Sequence, residues 1–427
     1  MSPLHPPHVA AAPGSPTVTD GDPDGRRWVA AWAAPPSGVG LAQGLLGRPV
    51  LAQTLRMVVR PLISGDAVRI RLNNAYGSGG PVRIEHATVA HRGDGAAVAP
   101  GTLRDLTFGG EPSVSLATGA FVESDAVRLD VQRGQDLLVS LHVLGGVVRP
   151  TQHFITNQTS YVSVTGRGDQ AADRSGRRFH RARSPFGYST GWYFLHAVDV
   201  RAEQRSAVVV AFGDSITDGY QGRVRGPMES RMALDQNARY PDFLAQRLAR
   251  LEPERSIGVV NVGISGNQVL SRSSRLLPFG DSALSRFERD ALTQPGVTDV
   301  IILEGINDLA VHADLTAEDL IEGLATLAQR ARQAGLRAHL GTLTPTAGSA
   351  RAPVTENRRV AVNTWIREQD LTDSVIDFDG ALRDPLAPTR LSAPFDSGDH
   401  LHPSSAGYRA MAAAVHLPAL AQHDESL

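Results

Sequence analysis

From Trp28 to about Val200, apolar and polar residues alternate in short runs: "TLRMVVRPL", "AVRIRLNNAYGSGG", "VRIEHATVAHRG", "DLLVSLHVLGG" and "WYFLHAVDV". A period of two buries one face of a strand and wets the other, and the intervening Gly, Asn, Asp and Pro are turn residues. This half predicts an antiparallel β-sandwich, jelly-roll-like in its many short strands. The polar, arginine-rich segment "GRGDQAADRSGRRFHRARSPFG" reads as a long exposed loop.

From about Ser206 the pattern changes. Buried strands "AVVVAF", "IGVVNVGI", "TDVIILEGI", "RAHLGTLTP" and "SVIDFD" alternate with helical stretches such as "YPDFLAQRLARL", "TAEDLIEGLATLAQRARQAG" and "TENRRVAVNTWIREQD". In the second of these, Leu320, Ile321, Leu324, Leu327 and Ala328 fall at helical spacing between a Thr cap and Gly335. Strand–helix alternation predicts a parallel sheet covered by helices, an α/β unit. The chain thus divides into a lead-in over 1–25, a β-sandwich over 26–204 and an α/β domain over 205–427.

Composition narrows the chemistry. A chain of 427 residues suits two domains, and 41% hydrophobic with 20% charged residues describes an ordinary globular protein. The net charge of −2 supplies no attraction to nucleic acid or an acidic membrane. All 42 basic residues are arginines, which removes Schiff-base lysines and a P-loop lysine. With Cys at 0, disulfides, thiolate metal sites and cysteine nucleophiles are excluded together. The first 25 residues are rich in Pro, Gly, Ala and Asp and lack an apolar run, so they read as disordered and not as a signal peptide. That places the chain in the cytoplasm if this is the whole native sequence, and outside if a leader was removed. No run approaches the roughly 20 apolar residues of a spanning helix.

Three strand exits in the second half carry reactive or donating groups. "VVVAFGDSITDGY" places Ser215 after a buried strand. "NVGISGN" brackets a turn with Gly263 and Gly266. "LEGINDL" sets Asn307 behind Gly305, and "SGDHLHPSSAGY" puts Asp399 three residues before His402. Open α/β sheets bind ligands at this carboxyl edge. Acyl transfer needs a nucleophile, a base, a group orienting the base, and donors for the tetrahedral oxyanion. Ser215 suits the first role, His402 the second and Asp399 the third. The N–H groups of Ser215 and Gly266 and the Asn307 amide suit the last. Asp214 and Asp218 read as structural residues bonding their own turn amides. His153 and Tyr161 read as packing residues near the junction of the halves, and "NQT" at 157–159 matches a glycosylation pattern. "GYSTG" at 187–191 imitates a nucleophile elbow around Ser189, but a loop precedes it and a strand follows, the reverse of what that elbow needs.

The blocks "GDSIT", "GISGN", "GIND" and Asp399 with His402–Pro403 resemble the SGNH (GDSL) hydrolase superfamily, in the family's order and over roughly residues 206–427. With the preceding β-rich half and "WVAAW" near Trp28, the chain is similar to two-domain bacterial GDSL-type esterases. The resemblance implies a three-layer flavodoxin-like fold for 205–427, a serine mechanism with an acyl-enzyme and neither metal nor cofactor, and an ester substrate. It also selects His402 over its neighbour His400. A short acyl ester, acetyl-type and carried on a carbohydrate or another small molecule, is the expected substrate. An acyltransferase using the same triad, or a carbohydrate-binding protein with a vestigial site, are the alternatives, and the oligomeric state is left open. Similar chains pass quickly from the serine turn to an aromatic–Pro–Asp helix start, here at Tyr240. This chain inserts residues 221–239, with Arg223, Arg225, Arg231 and Arg239 as candidates for pairing with an anionic substrate group, or as a solvated loop.

Overall fold

The computed structural model describes residues 25–38, 52–77, 80–145, 150–182, 191–221, 224–225, 229–230, 234–251, 255–271, 279–350 and 352–420. In the first half, strand Gly65–Asn73 follows the alternation: Val68, Ile70 and Leu72 are fully buried, while Arg69 and Arg71 lie on the opposite face, half-buried, and pair with Asp199. It lies in a five-stranded antiparallel sheet beside Leu195–Glu203, which in turn pairs with Arg26–Ala33; Phe121–Glu123 and Val127–Val131 complete it. A seven-stranded antiparallel sheet runs Phe179–Arg181, Ser160–Ser163, Gln53–Val59, Leu137–Leu144, Val82–His91, Arg104–Leu106, with Val114–Leu116 also on Val82–His91. Side chains of both sheets share one apolar core. Trp192 helps tie them, with its ring edge-on to Trp32 at 4.7 Å and its indole N–H donating to Val58 O at 2.9 Å.

The arginine-rich segment expected as an exposed loop is exposed over most of its described residues, its arginines included, but it is anchored to the fold at a few points. Up to Ala182 it lies against the seven-stranded sheet, where Gln170 and Ala171 are buried and Phe179–Arg181 adds a strand. The reason is Arg56, wholly buried on that sheet. Its guanidinium donates to Ala96 O at 2.7 Å, Ala171 O at 3.1 Å and Asp173 O at 2.8 Å, and its Nε to Ser140 Oγ at 2.9 Å. The Phe179 ring covers it at 4.0 Å. Burial lowers its pKa to about 10, with the Asp173 charge opposing. A buried cation needs acceptors on every side, and backbone carbonyls supply them whatever side chains the segment carries.

The second half is a five-stranded parallel sheet in the order Ile257–Gly263, Ala207–Gly213, Val297–Leu303, Arg337–Gly341, Ser374–Ile376. Its first strand in sequence is buried on both faces, as its unbroken run of Val requires. Helices Tyr240–Leu251 and Ser405–Ala414 pack on each other, as do Ala317–Gln333 and Ala352–Glu368. Ala317–Gln333 starts at a Thr316–Asp319 capping box, as its sequence predicts. The strand order reverses on either side of Ala207–Gly213, so its carboxyl end is the switch point where such sheets open a crevice. Among the described residues no helix is long and apolar enough to cross a membrane.

The halves are joined closely. Leu195–Glu203 passes through a short turn directly into Ala207–Gly213. Ala30 N donates to Pro295 O at 2.8 Å, Arg71 reaches Gln294 Oε1 at 2.6 Å, and Tyr76 Oη donates to Asp281 Oδ2 at 2.6 Å. Gly296, at φ +76°, lies so close to Val29 that a Cβ there would sit 2.6 Å from Val29 Cγ1. One apolar core runs through both sheet systems, from Val29 to Leu420.

Candidate active site

The Ser215 turn is built by three residues around it. Gly213 ends the strand where a Cβ would meet Leu303 O at 2.3 Å, so only glycine lets the chain turn this close to the neighbouring strand. Asp214 caps the one-turn helix Ser215–Asp218, its Oδ1 accepting from Ile216 N at 2.9 Å. Gly219, in the left-handed region at φ +89°, closes it with its N–H on Ser215 O. Asp214 thus caps its own turn as expected. Asp218 does not: its Oδ2 accepts from Ser265 N at 3.0 Å and Ser265 Oγ at 2.6 Å, and its Oδ1 lies 3.0 Å from His153 Nε2. Asp214 already satisfies the first turn, so Asp218 is left to serve neighbouring segments.

Ser215 Oγ donates to His402 Nε2 at 2.9 Å, and His402 Nδ1 donates to Asp399 Oδ2 at 2.6 Å. Asp399 Oδ1 accepts from His402 N at 2.9 Å and Leu401 N at 3.0 Å, so the short loop clamps its own carboxylate. Burial alone would raise the Asp399 pKa; hydrogen bonds from the His402 ring and these amides outweigh it and hold the carboxyl below its ordinary value. The Tyr220 ring stands edge-on to the His402 imidazole at 4.6 Å. Ser215 and His402 are 7% and 9% exposed. His400 is half exposed and pairs with Asp396 at 2.5 Å, which occupies it away from Ser215.

The other two turns are laced to this one and to each other. Ile264 N donates to Gly213 O at 2.9 Å. Gly266 is left-handed at φ +80°, and a Cβ there would lie 2.4 Å from the Phe279 ring. Asn307 Nδ2 donates to Asn267 O at 2.9 Å, while Asp308 accepts from Val269 N at 2.8 Å and Leu270 N at 3.0 Å. Burial raises the Asp308 pKa to about 6 against the pull of those amides. The structure therefore brings Ser215, Gly266 and Asn307 to the ends of three adjacent strands, with His402 and Asp399 on the loop that reaches Ser215.

Beneath them lies a residue that sequence reasoning missed. Arg286 is wholly buried, with its guanidinium on the Phe212 ring at 4.0 Å. It donates to Gly213 O at 3.0 Å, Val262 O at 2.8 Å and Asn267 Oδ1 at 2.8 Å, and so grips two strand ends and the Gly266 turn. Asp290 balances its charge at 3.4 Å, and the Glu304 carboxyl lies 3.6 Å away. Burial and the Asp214 charge raise the Glu304 pKa well above normal, with Arg286 opposing. Nothing in "SALSRFERD" distinguishes this arginine from a surface one, since its partners lie in other segments.

Arg223, Arg231 and the Arg225 side chain, proposed for substrate binding, lie outside the described residues, as does Ser189. Arg239 is not available to a substrate. It is largely covered, with its side chain 11% exposed, and grips Asp242 through Nε at 2.8 Å and Nη2 at 3.1 Å. The "NQT" asparagine is equally engaged: Asn157 is buried and donates to Gly219 O at 2.9 Å. Tyr161 packs on the outer side of the seven-stranded sheet with Val58 and Leu138, away from the junction.

The switch-point sheet with these blocks at its edge defines an acylhydrolase domain of the SGNH (GDSL) class. Residues 211–410 match the model of the GDSL-like Lipase/Acylhydrolase family, which identifies this segment as a carboxylic ester hydrolase domain. Among solved structures the chain is similar to a variant of Axe2, an acetyl-xylooligosaccharide esterase from Geobacillus stearothermophilus, with 28% identity and TM-score 0.36 over 49% of this chain and 91% of that one. It is also similar to Est24, a carbohydrate acetylesterase from Sinorhizobium meliloti (14%, TM-score 0.39, 49% and 96%). The M. smegmatis aryl esterase is a third (18%, TM-score 0.40, 49% and 96%). No curated protein matches the chain significantly in sequence.

Proposed function

We propose that the chain cleaves short acyl esters, acetyl-type, from a carbohydrate or another small alcohol through an acyl-enzyme on Ser215. The observation that carries this reading is the unbroken chain from Ser215 Oγ through His402 to Asp399, at 2.9 and 2.6 Å. Ser215 Oγ attacks the ester carbonyl carbon as its proton passes to His402 Nε2. The carbonyl oxygen gains charge and is met by the N–H groups of Ser215 and Gly266 and by the Asn307 side-chain amide. The intermediate collapses, the alkoxide leaves with the proton from His402, and Ser215 holds the acyl group. Water repeats the sequence with His402 as base and releases the acid. Asp399 keeps the imidazole in the tautomer with Nδ1–H and stabilises its transient charge. The near-burial of Ser215 and His402 supports a small acyl group over a long chain. A panel of aryl esters of increasing acyl length, with acetylated sugars beside them, tests the proposal. Turnover is expected to be greatest for acetyl and to fall with length; a preference for long chains would refute the short-acyl reading.

A further inference from the structure

His153, in strand Gln152–His153 of the β-rich half, is buried against the back of the Ser215 turn. Its Nδ1 lies 2.9 Å from Pro35 O, and its Nε2 lies 3.0 Å from Asp218 Oδ1 and 3.1 Å from Ile155 O. Each of these partners can only accept. A neutral imidazole has one N–H and one lone pair, so either tautomer would aim a lone pair at an oxygen. Only the doubly protonated ring satisfies both sides. Asp218 supplies the opposite charge, and its other oxygen takes the N–H and O–H of Ser265, the residue before Gly266.

We propose that His153 is a positioning residue for ester hydrolysis: as an imidazolium from the β-rich half, it orients the Asp218 carboxylate, which fixes Ser265 and thereby aims the Gly266 N–H relative to Ser215. The role rests on the hydrolytic reading of Ser215 and Gly266 given above. Asp218 closes the one-turn helix that Ser215 opens, so a single carboxylate links the attacking hydroxyl's turn to the turn that carries an oxyanion donor. Other charges face the pair from the adjoining helix. Arg239 opposes the His153 charge and is itself balanced by Asp242. The Trp192 ring shields the imidazole, 5.6 Å away and tilted by 33°. Burial disfavours the charged ring, the Asp218 charge and the hydrogen bonds to Asp218 and Pro35 together outweigh it, and the His153 pKa is raised.

The protonation state and the role are measured separately. In imidazole ¹H–¹⁵N spectra of the full chain, with His153→Gln used for assignment, both His153 ring nitrogens are expected to carry protons at a pH where exposed histidines are neutral. A lone-pair nitrogen would overturn the inference. With a short aryl ester, His153→Gln and the isosteric Asp218→Asn are each expected to lower kcat by about 10–100-fold with KM nearly unchanged, the usual cost of a small misplacement of catalytic groups. Asp218→Asn keeps the test valid if His153→Gln fails to fold. A folded Asp218→Asn enzyme with full kcat overturns the positioning role and leaves the esterase reading intact. A wild-type chain that hydrolyses no ester, with the His153 spectrum as expected, overturns the esterase reading and the role with it.

Discussion

Two histidine–aspartate pairs flank the Ser215 turn. His402 meets Asp399 at 2.6 Å and His153 meets Asp218 at 3.0 Å, and both rings are largely buried. The difference lies at the second nitrogen. His402 Nε2 faces the Ser215 hydroxyl, which can give a proton and take one back, whereas His153 Nδ1 faces the carbonyl of Pro35, which can only accept. An aspartate therefore does not make a histidine a base. The partner on the far nitrogen decides whether the ring exchanges a proton or keeps both. The location of each pair agrees with this. His402 sits on a loop at the sheet edge, and His153 is clamped between the two halves of the chain.

The proposed roles can be broken in order of expected effect. Ser215→Ala removes the hydroxyl that meets His402 Nε2, and kcat is expected to fall by about 10⁴–10⁶-fold, as for nucleophile loss in serine hydrolases. Activity within tenfold of wild type, or phosphonate labelling at Ser189 with Ser215 untouched, would refute Ser215 as nucleophile. Asp399→Asn keeps the shape but accepts no proton from Nδ1–H through its amide nitrogen, and a loss of about 10²–10⁴-fold in kcat is expected from the misoriented ring. A full-rate variant would mean that the loop amides alone orient His402. Asn307→Ala is expected to cost about 10²–10³-fold in kcat with KM little changed, the usual cost of one oxyanion donor. It also releases the bond to Asn267 O, so a thermal melt beside the kinetics separates lost chemistry from a loosened turn.

The smallest effect sharpens the comparison through pH. Asp399 has a folded pKa below its unfolded value near 4, so its contribution to stability is present above about pH 4 and is lost as pH falls through the folded value. His153 has a folded pKa above its unfolded value near 6.5, so its contribution is full below about pH 6.5 and is lost as pH rises through the folded value. The Tm gap between wild type and Asp399→Asn is therefore expected to narrow on the acid side, and the gap to His153→Gln on the alkaline side. A gap to His153→Gln that widens with rising pH would mean that the ring is neutral in the folded chain.

Much of the architecture was legible because it follows from local rules. The alternation in "AVRIRLNN" predicts a half-buried strand, and Val68, Ile70 and Leu72 are its buried face. The Thr316 cap and Gly335 bound a helix as their backbone preferences require. The omissions share one cause. Arg239 in a polar insertion reads as a free cation, yet Asp242 three residues on pairs with it. The segment around Gln170 is exposed over most of its length as its polarity suggests, but what the sequence hides is that its Ala171 carbonyl serves a buried Arg56 more than a hundred positions earlier. Polarity in sequence predicts exposure only where no distant charge or carbonyl satisfies the group.

The sequence by itself determined the strand and helix pattern, the positions of the serine, glycine and asparagine blocks at strand exits, and the spacing of Asp399 and His402, because periodicity, turn chemistry and short loops are properties of neighbouring residues. Only the tertiary structure decided that Asp218 serves His153, and that Arg286 holds the ends of two strands from beneath. His153 and Asp218 are 65 positions apart, and Arg286 and Gly213 are 73. Such pairings are chosen by the unmet donors and acceptors that folding buries together, since a buried polar group left without a partner costs more than the bond it forms returns.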